Sequence, residues 1–454
     1  MSSYAFHQQA LKAAKQNHVR AGEKLFIFLI IFALVWALYY GLVIKFTLGN
    51  NALFTLKTYV PEMMLLLALV VGAFSGILRG IPKTGLVLLC LLGIVFCLGV
   101  AFDSTSNAAV VIRDVYIPVF FLLLMCSARL SRPAAHSFMN VLTFTMGLYL
   151  VVAVVMYLIE AANGYDWTAR FYTGYTFWGQ DPVSRIEINS NGSAMRLPGP
   201  TGSSVKCSLY AVAGLVLFLA NDKTKTWKRF VFAALAIVCI LLYNNRSSLF
   251  GAVVVVLYFI AVNLTKSKWS RFLTGFMSVG IVVIGFLALT SSTGALNTAS
   301  VFQRFSFWGG MFTDQGVANL FFPTNSFSAS SGGEGIAGIG LSTDWDNAYL
   351  YMAFAFGVPV LILLLACLIG YWQRLKRLRK ALPQHKAEID YCRYLLLATA
   401  IIALATNVFQ GRSWFFIFVV VFGTVYACIN GVAYEADGRS SGSLDVAQDR
   451  TVSR

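Results

Sequence analysis

Long stretches of apolar residues recur along this chain and leave few folds open to it. A helix needs about 20 such residues to cross the roughly 30 Å hydrocarbon layer of a membrane. Candidate spans lie at 25–46, 59–79, 84–102, 108–127, 135–159, 206–220, 229–243, 247–264, 272–291, 347–372, 394–409 and 414–431. A water-soluble domain that is 58% hydrophobic and 12% charged could not cover its apolar surface with a polar shell. The sequence therefore predicts an all-α polytopic membrane protein with about twelve transmembrane helices.

The lysine and arginine residues predict how these spans are oriented. If the N-terminus lies inside, every inner connection carries at least two of them, for example around Lys24, Arg79, Arg229 and Arg379. Because basic loops stay in the cytoplasm, we expect a multi-pass protein of the bacterial inner membrane with both termini cytoplasmic. The net charge of +16 then reflects topology and contact with anionic membrane lipids, and no nucleic-acid partner is predicted.

The same pattern divides the chain into three parts. Residues 1–24 form a cytoplasmic N-terminus, 25–431 a single transmembrane catalytic domain, and 432–454 a polar tail predicted to be disordered. Two outer loops are long, at 160–205 and 292–346, and loops of that length are usually functional or disordered. Their aromatic residues suit either packing at the membrane interface or stacking on sugar rings.

Several kinds of catalytic site are excluded from this outer face. All four histidines fall on the predicted inner side, and the eight cysteines lie within or beside apolar segments. A histidine zinc site, a Ser-His-Asp triad or a cysteine nucleophile is therefore not expected in the outer loops. We predict no cofactor and no metal, although Asp344-Trp-Asp346 keeps a metal-binding pair open as an alternative.

Arginines on the predicted outer side are the residues most suggestive of chemistry. Positive charge there opposes the usual bias, and guanidinium groups match phosphate oxygens in pairs without losing their charge. Several converging arginines would bind a lipid-linked pyrophosphate. The alternative is that each arginine pairs with an acid or backbone carbonyls, or extends to the membrane surface. The candidates are Arg113, Arg196, Arg246, Arg304 and Arg412.

A glycine-rich stretch follows Arg196. Gly199 and Gly202 lie in Gly-Pro-Thr-Gly-Ser-Ser, just before a helix predicted to begin near Lys206. Such a segment could present backbone N–H groups to a phosphate. It lacks the spacing and the Gly-Lys-Ser/Thr ending of a P-loop, so nucleotide binding is not implied.

Carboxylates supply the candidate general base. Asp344 and Asp346 precede the helix expected over 347–372, where an acid can simply cap the helix. Alternatively, Asp346 deprotonates an acceptor sugar hydroxyl, with Asp344 or Glu334 as the other candidates. Glu62 is a lesser candidate, since a lone acid inside a span usually has a polar partner or a role.

The order of these motifs resembles the O-antigen ligase and O-antigen polymerase superfamily, whose members are all-helical, GT-C-type membrane glycosyltransferases. The resemblance covers about residues 190 to 430. It consists of Arg196-Leu-Pro-Gly-Pro-Thr-Gly, Asn245-Arg-Ser-Ser, Gln303-Arg-Phe-Ser-Phe-Trp, and Asp346-Asn-Ala-Tyr-Leu followed by Phe356-Gly357.

The resemblance implies an undecaprenyl-pyrophosphate-linked glycan donor and an inverting, metal-independent transfer at the periplasmic face. It also implies that Arg196 and Arg246 bind the pyrophosphate. Ligases of this superfamily typically carry histidine where this chain has Asp346. That difference favours a polymerase, whose acceptor is a second lipid-linked repeat unit and whose further partner is a chain-length regulator.

Two other functions stay open. An O-antigen ligase would transfer the finished polysaccharide to lipid A–core. A polytopic transporter or lipid-linked-glycan flippase would place charged residues through the middle of several helices. The predicted span centres here are almost free of charge and show no clear internal repeat, which favours chemistry at the membrane surface over a translocation path. A membrane scaffold without catalysis is the remaining alternative.

Overall fold

A computed structural model describes residues 3–47, 51–103, 108–171, 197–221, 225–263, 320–323, 326–327, 347–404, 406–409 and 414–452. These residues form helices and turns, and no strand occurs among them. The helices are α1 (Ser3–Leu38), α2 (Tyr40–Thr47), α3 (Asn51–Phe74), α4 (Lys83–Phe102), α5 (Ala108–Val111), a π-helical turn (Ile112–Tyr116), α6 (Ile117–Met125), α7 (Arg132–Phe171), α8 (Ser204–Ala220), α9 (Thr226–Leu242), α10 (Arg246–Asn263), α11 (Ala348–Phe356), α12 (Val358–Ala381), a 3₁₀ turn (Pro383–His385), α13 (Lys386–Ile402) and α14 (Trp414–Val452).

Within the described residues, seven helical segments are long and apolar enough to cross a membrane. Two further apolar helices, Tyr59–Phe74 and Ser204–Ala220, are shorter. Each predicted span overlaps a helix except 272–291, which lies outside the described residues. The prediction of an all-helical protein is therefore confirmed for the described residues, and the seven candidate spans are consistent with a helical membrane protein.

Two helices form the centre of the bundle. In α8 every residue from 207 to 220 is buried, and in α14 every residue from 414 to 432 is buried. Helix α8 packs against α7, α9, α10, α13 and α14, and α14 packs against α1, α6, α7, α8 and α13. A helix that is apolar all round needs such enclosure.

The outer helices expose large apolar side chains. Phe144 on α7 is 70% exposed, Phe102 on α4 is 70% exposed, and Ile362 on α12 is 59% exposed. Exposed apolar surface on this scale would drive association in water. Such a surface is consistent with a helical membrane protein.

The predicted span 347–372 is wrong in one respect, because it is divided at Gly357. Helix α11 ends at Phe356, and Gly357 adopts φ 91°, a region that residues with a side chain rarely enter. A Cβ there would lie 3.3 Å from the Leu320 carbonyl oxygen. Pro359 follows in the first turn of α12, where its missing N–H leaves no helical hydrogen bond unmade.

The predicted bounds of the first outer loop and of the tail stay predictions. The loop was expected from residue 160; helix α7 is interrupted at Gly164, whose φ is 76°, and a further helical segment follows to Phe171. The tail was expected over 432–454, and helix α14 is described as far as Val452.

Candidate functional site

The described helices end in two sets of connections, which lie at opposite ends of the antiparallel bundle. Hydrogen bonds join neighbouring connections within each set. At the end that we call the loop end, they run from Leu42 N to Pro200 O (3.3 Å), Gly199 N to Glu160 Oε2 (3.2 Å), Ala348 N to Ala403 O (2.9 Å) and Thr406 Oγ1 to Ser247 Oγ (2.5 Å). At the other end, which we call the basic end, they run from Ser131 N to Glu23 Oε1 (2.8 Å), Arg129 N to Ile77 O (3.0 Å) and Asn430 Nδ2 to Cys126 O (2.9 Å).

The glycine-rich stretch folds into a buried turn at the loop end. Gly199 and Gly202 both adopt the left-handed region, with φ of 58° and 72°. The Gly199 N–H donates to the Glu160 carboxylate, and the Gly202 N–H donates to the Gly199 carbonyl at 3.0 Å. The sequence left open that these two N–H groups face a phosphate. In the structure both are used inside the protein, which favours a structural role for the two glycines.

Close packing leaves no room for a side chain at Gly199 in the turn or at Gly41, which faces it. A Cβ on Gly199 would overlap the Tyr243 hydroxyl at the end of α9, and a Cβ on Gly41 would overlap the backbone of Gly202. The Tyr243 hydroxyl donates to the Ala153 carbonyl at 2.8 Å. The turn therefore ties the start of α8 to α2, α7 and α9.

Asn245 organises the segment that carries Arg246. The Asn245 side-chain oxygen accepts hydrogen bonds from the Ser247 hydroxyl at 2.6 Å and from the Ser248 N–H at 3.0 Å. This is the pattern of a helix N-cap. It places Arg246 at the first position of α10, where the residue is exposed. The Thr406–Ser247 bond then joins this turn to the connection between α13 and α14.

Asn347 performs the capping role that the sequence left open for Asp344 and Asp346. Its side-chain oxygen accepts from the N–H groups of Tyr349 at 2.9 Å and Leu350 at 3.1 Å. The next residue, Ala348, bonds to the Ala403 carbonyl. The N-terminus of α11 is thus fixed beside the connection between α13 and α14.

That connection is anchored on both sides of residues 410–413. The Trp414 indole N–H donates to the Thr399 hydroxyl at 2.7 Å, and the Phe415 N–H donates to the Val408 carbonyl at 3.0 Å. The Phe409 and Phe415 rings pack 4.5 Å apart. The described residues therefore hold the flanks of Arg412 close to each other.

Arg113 is already matched by an acid. Its Nε and Nη2 donate to the two carboxylate oxygens of Asp114 at 2.7 and 3.0 Å. Glu62, which is 3% exposed, also interacts electrostatically with this guanidinium. The structure thus favours the structural alternative for Arg113 and supplies the polar partner expected for Glu62. We leave Arg113 out of the proposed pyrophosphate site.

Six predicted site residues lie outside the described residues: Arg196, Arg304, Arg412, Glu334, Asp344 and Asp346. Their roles stay predictions. Leu197 and Asn347 directly follow two of them in the chain and belong to the loop end.

Two acids at the loop end support neighbouring segments, which the sequence did not reveal. Glu160 is fully buried and accepts from Gly199. The Asp103 carboxylate accepts from the Phe327 N–H at 2.7 Å, and the Phe327 ring packs 5.4 Å from that of Phe96. The only available signal was an acid near the end of each apolar span, which does not identify a partner distant in the chain.

In the part of the chain that the structure describes, no group of three or more His, Cys, Asp or Glu residues is placed to hold a metal ion. Because Asp344 and Asp346 lie outside it, metal independence stays a prediction. A comparison with models of protein families finds none that matches this chain. A comparison with curated proteins finds no significant match either.

Proposed function

We propose that this chain is a polysaccharide polymerase of the bacterial inner membrane. It transfers a glycan from undecaprenyl pyrophosphate to a second lipid-linked repeat unit, with inversion and without a metal. The proposal retains about twelve spans, two cytoplasmic termini and a GT-C-like arrangement with two long periplasmic loops. The loop end then faces the periplasm, and the basic end faces the cytoplasm.

The main support is that three polar segments, distant in the chain, are bonded together at the loop end. They are the Asn245 turn with Arg246, the α11 N-terminus after Asp346, and the connection that contains Arg412. The Thr406–Ser247 and Ala348–Ala403 hydrogen bonds join them. A single site could therefore draw a cation and a carboxylate from helices that share no local sequence.

The proposed chemistry needs both kinds of group. The acceptor hydroxyl gives its proton to the Asp346 carboxylate as its oxygen attacks the anomeric carbon of the donor sugar. The bond between that carbon and the pyrophosphate oxygen breaks, and undecaprenyl pyrophosphate leaves with the bonding electrons. Arg246, with Arg196, Arg304 and Arg412, stabilises the negative charge that develops on the leaving group.

The capping by Asn347 supports the assignment of Asp346. Two N–H groups of the first turn of α11 are satisfied by the Asn347 side chain. An acid is therefore not needed there as the helix cap. The positive end of the helix dipole also favours an ionised carboxylate, the form that accepts a proton.

We expect Arg246→Ala to abolish polymer formation from purified lipid-linked oligosaccharide while leaving expression intact. Arg246→Lys keeps the positive charge but cannot form a bidentate pair of hydrogen bonds with the phosphate. Its rate of polymer formation should therefore fall about 10- to 100-fold, as for a lost charge-assisted hydrogen bond. The control is Arg377→Ala, an exposed arginine on α12 toward the basic end. Normal polymer from Arg246→Ala would refute the pyrophosphate role.

The acceptor distinguishes the alternatives. A ladder of products from lipid-linked oligosaccharide alone indicates a polymerase, and a requirement for lipid A–core indicates a ligase. Movement of the lipid-linked glycan across a vesicle membrane without any new glycosidic bond indicates a flippase.

In the assay of polymer formation, Asp346→Asn should lose activity because the amide cannot accept the proton. Full activity of this variant would assign the general base to Asp344 or Glu334.

A further inference from the structure

A cavity of about 770 Å³ opens at the basic end of the bundle, away from the proposed catalytic face. It lies between the first half of α7, the start of α9, the start of α13 and the middle of α14. Its size is within the range of ligand pockets, roughly 300–1,000 Å³. The polymerase proposal gives this cavity no role.

The polar part of the cavity carries more cations than acids. Arg132 and Lys228 line it, together with the amide side chain of Asn140. One acid, Glu388, lines it too, and Glu388 Oε2 lies 3.8 Å from His385 Nδ1. With both of its lining histidines counted as neutral, this rim has a net positive charge that suits a phosphate group.

The other part of the cavity is apolar and continues toward the middle of the bundle. Phe144, Leu148 and Val151 recur along one face of α7 and are 70%, 47% and 42% exposed. At 1.5 Å per residue, α7 rises about 16 Å from Asn140 to Val151, close to half of the roughly 30 Å hydrocarbon layer. The apolar stripe therefore has the length of one leaflet.

Glycine lets α7 pack closely against the opposite wall of the cavity. Gly147 lies among the lining residues on α7, and a Cβ there would lie 3.3 Å from the Phe232 ring. Phe232 in turn stacks on Phe218 with ring centroids 4.8 Å apart. This aromatic pair therefore closes the cavity at Gly147, and an acyl chain would run beside that contact, along the exposed side chains of α7.

We propose that this cavity binds one phospholipid with an anionic head group. Its phosphate contacts Arg132 and Lys228, and one acyl chain follows Phe144, Leu148 and Val151. The juxtaposition of a cationic rim with a leaflet-length apolar stripe favours an amphiphile over a free phosphate or a protein helix. The inference rests on the bundle lying in a bilayer and is independent of the polymerase proposal.

The test is native mass spectrometry of the delipidated full-length protein, titrated with phosphatidylglycerol or with phosphatidylcholine. We expect at least one retained phosphatidylglycerol and about tenfold weaker retention of phosphatidylcholine, the ratio that one charge-assisted contact supplies. Arg132→Gln and Lys228→Gln should each weaken phosphatidylglycerol about tenfold. The matched control is Lys225→Gln, an exposed lysine three residues away that does not line the cavity.

A second pair of variants tests the acyl-chain path. Val151→Trp should block retention, whereas Val155→Trp, one turn further along α7 and outside the cavity, should not. Equal retention of both lipids, or equal losses in Lys225→Gln and Lys228→Gln, would overturn the proposal. So would displacement of the lipid by inorganic phosphate alone, because the site would then recognise only the anion. Melting temperatures of all variants identify any that fail to fold.

Discussion

Gly199 meets three requirements at once. Its φ of 58° favours glycine, its N–H is bonded to a buried acid, and its α-carbon faces the Tyr243 hydroxyl without room for a methyl group. Each requirement comes from a different neighbour, on α7, on α9 or within the turn itself. A substitution there should therefore disturb the packing of α8 against both helices.

We predict that Gly199→Ala lowers the melting temperature of the detergent-solubilised protein by several degrees. A side chain in the left-handed region costs roughly 1–2 kcal/mol, and the overlap with Tyr243 adds to that cost. The measurement is intrinsic fluorescence during heating. The control is Gly93→Ala on α4, where a Cβ meets nothing within 4 Å.

The double variant Gly199→Ala/Tyr243→Phe separates the two causes. Loss of the hydroxyl removes the closest overlap but leaves Cζ of residue 243 at 2.7 Å and Cys207 Sγ at 2.8 Å from the added Cβ. It also removes the bond to Ala153, worth about 1 kcal/mol. Partial recovery relative to Gly199→Ala alone would identify the overlap as a real part of the cost. A melting temperature of Gly199→Ala equal to that of the parent would contradict the packing described here.

At the scale of single residues, the sequence drew attention to Gly199 and Gly202 but did not predict the contacts that these glycines make. The two glycines were selected for their spacing, but whether an N–H faces a ligand or a buried acid depends on which helix packs against it. Glu160 is 39 residues from Gly199 in the chain, and no local pattern links them. Arg113 illustrates the opposite case, since its partner Asp114 is adjacent.

Three helices are joined at the basic end by a buried ionic cluster. Asp390 on α13 accepts from Arg393 Nη1 at 3.0 Å and from Arg379 Nη2 on α12, also at 3.0 Å. Arg393 also bonds to the Tyr258 hydroxyl on α10 and lies 5.0 Å over the Trp372 ring. One acid thus offsets two cations within a largely buried space.

We predict that Asp390→Asn destabilises the protein by about 3 kcal/mol, because it leaves two arginines together without a counter-ion. The figure is at the lower end of the expected range since the Arg379 side chain is 28% exposed. Heating in detergent measures the effect. Arg377→Gln, an exposed change on the same helix α12, should leave the melting temperature within a degree or two. An unchanged melting temperature of Asp390→Asn would show that the ionic cluster makes no net contribution to stability.

The positions of the helices were largely predictable, while their interruptions were not. Length and hydropathy locate the apolar segments because the bilayer demands them. The break at Gly357 depends instead on contacts with residues distant in the chain, such as Leu320 and Pro323. Those contacts form only after the helices have packed.

For the whole molecule, the two ends should differ in accessibility from the two sides of the membrane. In a background with Cys90 and Cys97 replaced by alanine, we predict that Arg246→Cys reacts with a membrane-impermeant maleimide added to spheroplasts. Lys225→Cys should react only after the membrane is opened. Arg246 and Lys225 are both exposed, so a cysteine at either position can react. The six native cysteines other than Cys90 and Cys97 are buried, so the labelling is specific.

Labelling of Lys225→Cys in intact spheroplasts would reverse the proposed orientation. Equal labelling of both positions in intact spheroplasts would show that the barrier was broken or that the two ends are not on opposite sides. The readout is independent of catalysis, so it tests the arrangement of the bundle even if the polymerase proposal fails.

The enclosed position of α14 has a consequence for biogenesis. Among the described residues, the helices that contact it, α1, α6, α7, α8, α12 and α13, all precede it in the chain. We expect these helices to enter the bilayer first, with lipid tails filling the position that α14 later takes. Lateral entry of α14 then expels those lipids, and its apolarity on all sides lets it pass through the hydrocarbon before its neighbours enclose it.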